Sequence, residues 1–159
     1  MHAMIIPLYH LLKTMNLLNN YIGLILVYVA LGIPFSILIL QAFFHSFPNE
    51  LEDAARVDGC SEYKIFFYIA LPMSKGSIAA IAIVNFISFW NELFVAMVLL
   101  WNNLVKTLPV GILGYKGQWG QARWGLLFAG LSIVTIPMLI FYIIFSKKIT
   151  RGMTLGSLK

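Results

Sequence analysis

Charge is what this chain of 159 residues has least of: six Asp and Glu and 11 Lys and Arg, together 11% of the sequence. A water-soluble domain carries about 25% charged residues, so an ordinary solvated surface is excluded. Cysteine is nearly missing as well. Cys60 stands alone, which rules out an intrachain disulfide and a cysteine metal cluster. His2, His10 and His45 show no metal-ligand spacing, so no metal site is expected. There is no Gly-x-x-x-x-Gly-Lys-[Ser/Thr] phosphate loop and no His, Asp and Ser or Cys arrangement for covalent catalysis. The first residues lack a basic n-region and a small-residue cleavage site, so a cleaved signal peptide is not expected there.

What the chain does have is apolar sequence: 60% hydrophobic residues and a mean hydropathy of +0.87. Residues 14–49 contain no Lys, Arg, Asp or Glu, residues 76–100 hold only Glu92, and residues 125–146 hold none. About 20 apolar helical residues cross a hydrocarbon core of ~30 Å. The expectation is an all-α, polytopic membrane helical bundle with three full transmembrane helices at 21–44, 76–100 and 125–146. The opening "MHAMIIPLYHLL" would reach only about 18 Å as a helix. Residues 1–13 are therefore read as the end of a fourth helix whose beginning is missing.

Basic residues outside the spans are unevenly shared. Arg56, Lys64 and Lys75 follow the first span, and Lys147, Lys148, Arg151 and Lys159 follow the third, on the same face. Lys13, Lys106, Lys116 and Arg123 lie on the other. The positive-inside rule makes the seven-residue face cytoplasmic. The net charge of +5 is that of juxtamembrane residues beside anionic membrane lipid and needs no nucleic acid.

The segment 48–72 interrupts this apolar pattern. After Pro48, "NELEDAARVDG" predicts a helix of about two turns, with Asn49 as cap, acids in the first turn, and Asp58-Gly59 as a left-handed stop. Ser61 can cap a second helix, "EYKIFFYIAL", until Pro72 constrains the residue before it and bends the path toward the next span. Ordering such a helix–turn–helix gains little unless something packs on it. A protein partner is one reading; amphipathic helices resting on headgroups is the other.

The spacing Asp53-Ala54-Ala55, three residues, Gly59, nine residues, Ile69-Ala70-Leu71-Pro72 resembles the EAA loop of ABC-importer permeases. Asp53 departs from the usual Glu by one methylene. "LLNNYIGLILVYVALGIPFSILIL", "FWNELF", "TLPVGI" and "RGMTLGSLK" resemble, in the same order, the carbohydrate-uptake type, similar to the maltose-type second permease subunit. The resemblance covers essentially the whole chain. Since such a permease usually has about six spans, it implies the C-terminal part of one.

It further implies a multi-pass subunit of a bacterial or archaeal cell membrane, with the C-terminus and the EAA loop cytoplasmic. The helix from Glu52 to Val57 would be a coupling helix seated in a groove of a cytoplasmic ATPase dimer, which would use ATP and Mg; this chain would bind no cofactor itself. Coupling would involve Glu52, Asp53, Ala54, Ala55, Asp58, Gly59, Ile69, Leu71 and Pro72. Small Ala54 and Ala55 allow close approach, and Asp53 and Asp58 could pair with basic groups on the ATPase. A second permease subunit, a solute-binding protein and a sugar substrate complete the implied system.

Asn85, Ser88 and Glu92 are spaced by three and four, so they are expected along one stripe of the second span, with Asn91 beside it. They could line a substrate path in which Trp90 or Phe89 offers a face to a sugar ring. Ahead of that reading stands helix packing, in which Glu92 and Asn91 bond to neighbouring backbone or side chains. Gly23, Gly32, Pro34 and Pro137 fit ordinary membrane-helix composition or close packing and kinks. The loop "WNNLVKTLPVGILGYKGQWGQARWG" has the Trp, Gly and Lys mixture of an interfacial belt and could also meet the solute-binding protein. Two other functional classes stay open: an ion-coupled secondary carrier, which would need more intramembrane ionisable groups than Glu92, and a permease fragment without activity.

Overall fold

The computed structural model describes residues 4–115 and 123–154, except the side chains of Asn49 and residues 146–154. His2, Lys116 and the last five residues of "RGMTLGSLK" lie outside the described residues. All regular structure among the described residues is helical. The chain falls into two compact units: one of residues up to Leu31 with Ile87–Ile144, the other of Gly32–Phe86 with Phe145 onward.

In the first unit α1, Ile5–Thr14, ends at a turn where Asn16 and Asn19 both take φ 55°, the left-handed region that asparagine tolerates better than most residues. Asn19 ties this turn down: its N–H donates to the Leu99 carbonyl at 2.9 Å, and its side-chain oxygen accepts from the Asn102 N–H at 2.9 Å. The core of this unit joins Leu12, Leu24, Val27, Val95, Ala96, Leu99, Leu100 and Val110. Gly23 is also buried, and a Cβ there would collide with the Leu17 carbonyl. Close backbone approach, rather than ordinary composition, explains that glycine.

Over the expected first span runs α2, Tyr21–His45, which has 25 residues and reaches about 37 Å, long and apolar enough to cross. Pro34 lies inside it, and the Ser36 hydroxyl donates to the Gly32 carbonyl at 2.7 Å. After the loop helices α3, Asn49–Val57, α4, Glu62–Ile65, and α5, Leu71–Met73, comes α6, Lys75–Trp90. The expected span at 76–100 is not one helix. α6 stops at Trp90, and a separate helix, α7, covers Phe94–Leu99.

At 16 residues α6 reaches about 24 Å, short of the hydrocarbon thickness. Glu62–Met73 and Lys75–Trp90 together are long and apolar enough, but bent by 61°. A short 3-10 turn, Asn103–Val105, and α8, Leu108–Leu113, follow. The last helix, α9, Trp124–Thr154, includes a 22-residue stretch, Trp124–Phe145, long and apolar enough to cross. None of the residues in its most apolar window is buried. With water absent from lipid, its Ser132 and Thr135 hydroxyls donate to carbonyls of their own helix.

Gly23→Ala should therefore lower the thermal stability of the purified protein by about 1–3 kcal/mol, the usual range for overpacking. Gly76→Ala, where a Cβ would meet nothing within 4 Å, should be neutral or stabilise by up to about 1 kcal/mol. Thermal unfolding of both variants in detergent reads the difference; equal melting temperatures would contradict the close approach at Gly23.

Candidate functional site

The interrupting loop is a helix–turn–helix, as expected, but its caps differ. Pro48, with φ −67° and ψ 120°, takes the N-cap position, and Asn49 already lies inside the first turn of α3. Proline's fixed φ suits a helix entrance, where its missing N–H loses nothing. Glu50 and Glu52 occupy that first turn, beside the positive end of the helix dipole.

The helix ends at Asp58, and Gly59 turns left-handed at φ 77°. Its N–H donates to the Arg56 carbonyl and the Cys60 N–H to the Ala55 carbonyl, both at 3.0 Å. This pair of bonds is the Schellman arrangement that glycine permits at little steric cost. Ser61 takes the N-cap position of α4, but its side chain makes no capping bond.

From Glu62 to Met73 the backbone stays helical through α4, a π turn at Phe66–Ala70, and α5. The bend expected at Pro72 is displaced: Leu71 stays helical at φ −65°, ψ −44°, and the 61° bend falls at Ser74. The π turn supplies the reason. Leu71 N–H reaches back to the Phe66 carbonyl, so the ladder has already shifted where proline would otherwise meet an α-helical partner. Ser74, only 1% exposed, donates its hydroxyl to the Leu71 carbonyl at 2.9 Å.

The loop residues divide by exposure. Ala54, Asp58, Gly59 and Pro72 are exposed, Ile69 and Leu71 half-buried, and Ala55 is buried within its own chain. Of the two alanines expected to approach a partner, only Ala54 is free to do so.

Of the two acids expected to pair outward, Asp53 is engaged within the loop, whereas Asp58 is exposed. Arg56 contacts Glu62 from Nε at 2.9 Å, Asp53 from Nη1 at 3.0 Å and Glu52 from Nη2 at 3.2 Å. The bond to Glu62 first, then the other acids, hold this guanidinium even more firmly protonated than usual. Arg56 was not foreseen as a site residue, although its spacing of three and four from Asp53 and Glu52 is the ordinary signal for helix ion pairs.

The polar residues of the expected second span do not form one continuous stripe, because α6 ends before Glu92 is reached. Glu92 sits in the break. Its Oε1 accepts from the Val95 N–H at 2.8 Å, and its Oε2 from the Ala96 N–H at 3.0 Å and the Tyr28 hydroxyl at 2.9 Å. The carboxylate thus satisfies the open first turn of α7 and fastens it to α2. Tyr28 stacks on Phe89, with ring centroids 4.8 Å apart and planes 5° from parallel, so that face of Phe89 is covered.

Asn91, exposed, donates to the Ile87 carbonyl at 2.8 Å, while Ser88 is exposed and Trp90 half-buried. In the second unit Asn85 donates to the Ser36 hydroxyl at 3.2 Å. Tyr28 and Ser36 had no individual signal in the sequence, being 64 and 49 positions from their partners.

Residues 2–154 match the family described as binding-protein-dependent transport system inner membrane component. The chain belongs to this family. It is 36% identical to the probable ABC transporter permease protein YurM of Bacillus subtilis over 98% of its own length and 51% of that protein's. Identity is 34% to the sulfoquinovosyl glycerol transport system permease protein SmoH of Agrobacterium fabrum, covering 99% and 55% of the two chains. It is 35% to the trehalose/maltose transport system permease protein MalG of Thermococcus litoralis, covering 96% and 55%. The chain spans about half the length of the curated relatives it matches. The helical membrane fold and the resemblance to sugar-type permeases are borne out at the level of the family.

If Glu92 is a structural fastening, Glu92→Leu strands three donors and should destabilise the protein by about 2–4 kcal/mol. Glu92→Gln keeps one acceptor oxygen and should lose about half of that, and Tyr28→Phe about 1 kcal/mol. Melting temperatures in detergent check the order; a Glu92→Leu variant as stable as the parent would remove the fastening.

Proposed function

We propose that the chain forms part of the membrane subunit of an ATP-driven importer and couples to a separate ATPase through the helix–turn–helix at residues 48–72. The observation that carries this reading is the loop's geometry: a two-turn helix with exposed Ala54, stopped by left-handed Gly59, then a turn into a second helix. A cytoplasmic ATPase dimer would bind ATP and Mg and close on ATP binding; the loop would follow, and the spans would reorient in alternating access. The basic bias around this loop and the C-terminal tail favours a cytoplasmic placement for both.

Sugars or sugar derivatives are the proposed cargo. The relatives' names specify sulfoquinovosyl glycerol, diacetylchitobiose and trehalose/maltose. A solute-binding protein outside and a second permease subunit in the membrane would complete the path.

Within this chain, exposed Ser88 and Asn91 are the polar groups we assign to substrate hydroxyls, with Trp90 beside them. Asn85 and Glu92 position helices instead. The three donors that fill Glu92's oxygens favour an importer driven by a partner over an ion-coupled carrier needing a free carboxylate.

In an assembled importer with Cys60 replaced, Ala54→Cys should crosslink to a cysteine placed in the ATPase groove, and the crosslink should arrest uptake. Gly59→Val, strained at positive φ, should keep membrane insertion but lower uptake per ATP hydrolysed. No crosslink from Ala54 in a complex that imports substrate would overturn the coupling role.

A further inference from the structure

At the start of α2 the first unit carries polar groups that neither the loop at 48–72 nor the polar residues of the spans involve. Asn19 ties the turn after α1 to the chain at Leu99 and Asn102. Beyond that tie, the Asn102 side-chain oxygen accepts from the Leu104 N–H and its carbonyl from the Val105 N–H, both at 3.1 Å. These bonds open the 3-10 turn and keep Lys106 within one turn of Asn102. Trp101 lies inside the tied segment and is 54% exposed. Its ring stands 6.3 Å from that of Tyr9, with planes 43° apart, and Tyr9 is itself packed against the core.

The asparagines beside Trp101 spend their oxygens on the protein. Asn102 accepts a backbone N–H, and Asn103 accepts from Lys106 Nζ at 2.6 Å. Both residues are exposed, and the amide NH2 of each, with two donors, meets no acceptor among the described residues. Lys106 uses one of its three donors on Asn103. No carboxylate side chain is at hand to neutralise it, since the six Asp and Glu all lie between residues 50 and 92. A tryptophan at a membrane interface needs only its ring at headgroup level. Fixed donors and a cation beside the ring match an acceptor-rich ligand. The negative face of the indole takes the polarised C–H groups of a sugar ring, and the ammonium favours an anionic substituent.

Resting on the sugar cargo proposed above, we infer that Trp101, Asn102, Asn103 and Lys106 form a saccharide subsite for a sugar bearing a carboxylate or sulfonate. Trp101 supplies the stacking face, the two amides donate to ring hydroxyls, and Lys106 receives the anion. The bonds of Asn19 and Asn102 fix the platform before the ligand arrives, so little ordering is lost on binding. Neutral sugars use the same face and bind more weakly.

The test measures binding of glucuronate, glucose and acetate to the full chain in phosphatidylcholine nanodiscs by ligand-observed NMR, with thermal unfolding to check that each variant folds. Glucuronate should bind at least about fivefold more tightly than glucose and about tenfold more tightly than acetate. Trp101→Ala should weaken glucuronate at least about tenfold, whereas Trp101→Phe, which keeps an aromatic face, should cost less than about threefold. Lys106→Gln should erase the preference for glucuronate over glucose. Asn103→Asp keeps an oxygen on Lys106 but replaces donors with an anion, and should weaken glucuronate more than glucose. No saturable glucuronate binding, or binding unchanged in Trp101→Ala, would overturn the inference and leave Trp101 as an interfacial anchor. Acetate bound as tightly as glucuronate would reduce the site to a bare anion contact and overturn it equally. Uptake by the assembled importer separates the two readings: glucuronate binding without uptake of any sugar or sugar acid sinks the cargo, whereas sugar uptake without glucuronate binding sinks only the subsite.

Discussion

A polar group inside hydrocarbon must find its partners within the protein, because lipid offers no water to replace them. Much of the first unit follows from how one carboxylate meets that demand. Glu92 lies in the apolar run 76–100, and its oxygens take two backbone N–H groups and a tyrosine hydroxyl. Those bonds let the chain break after Trp90 and begin again at Phe94, since the first turn of α7 would otherwise leave its donors unsatisfied. Val95, Ala96, Leu99 and Leu100, placed by that restart, become the best buried residues of the unit's core. A carboxylate in a membrane segment usually marks a pathway for ions or substrate. Here its geometry is that of a fastening.

The second unit meets a different constraint, the need to leave a span and return within a few tens of residues. Three backbone devices do this in sequence. Pro48 opens α3, Gly59 reverses the chain, and the π turn before Pro72 absorbs a proline that would otherwise break the returning helix. The final change of direction falls at buried Ser74, whose hydroxyl bonds to a carbonyl one turn back. The result is compact and presents an exposed face.

Family membership and loop geometry bear on different links of the argument. Similarity over nearly the whole chain places the helices in a known class of membrane transport components, whereas the contacts assign work within the loop and spans. Asn85 and Glu92 hold helices, Ser88 and Asn91 are exposed, and Ala55 packs inward while Ala54 does not. The resemblance alone treats each of these pairs as equivalent.

From the sequence alone, the near-absence of charge over three long runs determined an all-helical membrane protein. The spacing from Asp53 to Pro72 determined a helix–turn–helix with a glycine stop. Those features are local or compositional: hydropathy integrates over about 20 residues, and a left-handed glycine acts within one turn. Only the tertiary structure decided that residues 76–100 are two helices: Glu92 caps the restarted helix and is held there by Tyr28, 64 positions away in the sequence. It also decided that Gly23 is required by a close carbonyl, that the bend lies at Ser74, and that Ala55 faces inward. Arg56 lies between these cases: its ties to Glu52 and Asp53 are one helical turn long and legible, but the tie to Glu62 exists only because Gly59 folds α4 back beside α3. Periodicity describes each helix separately, and the contacts that give a polar residue its role form only when another helix arrives beside it.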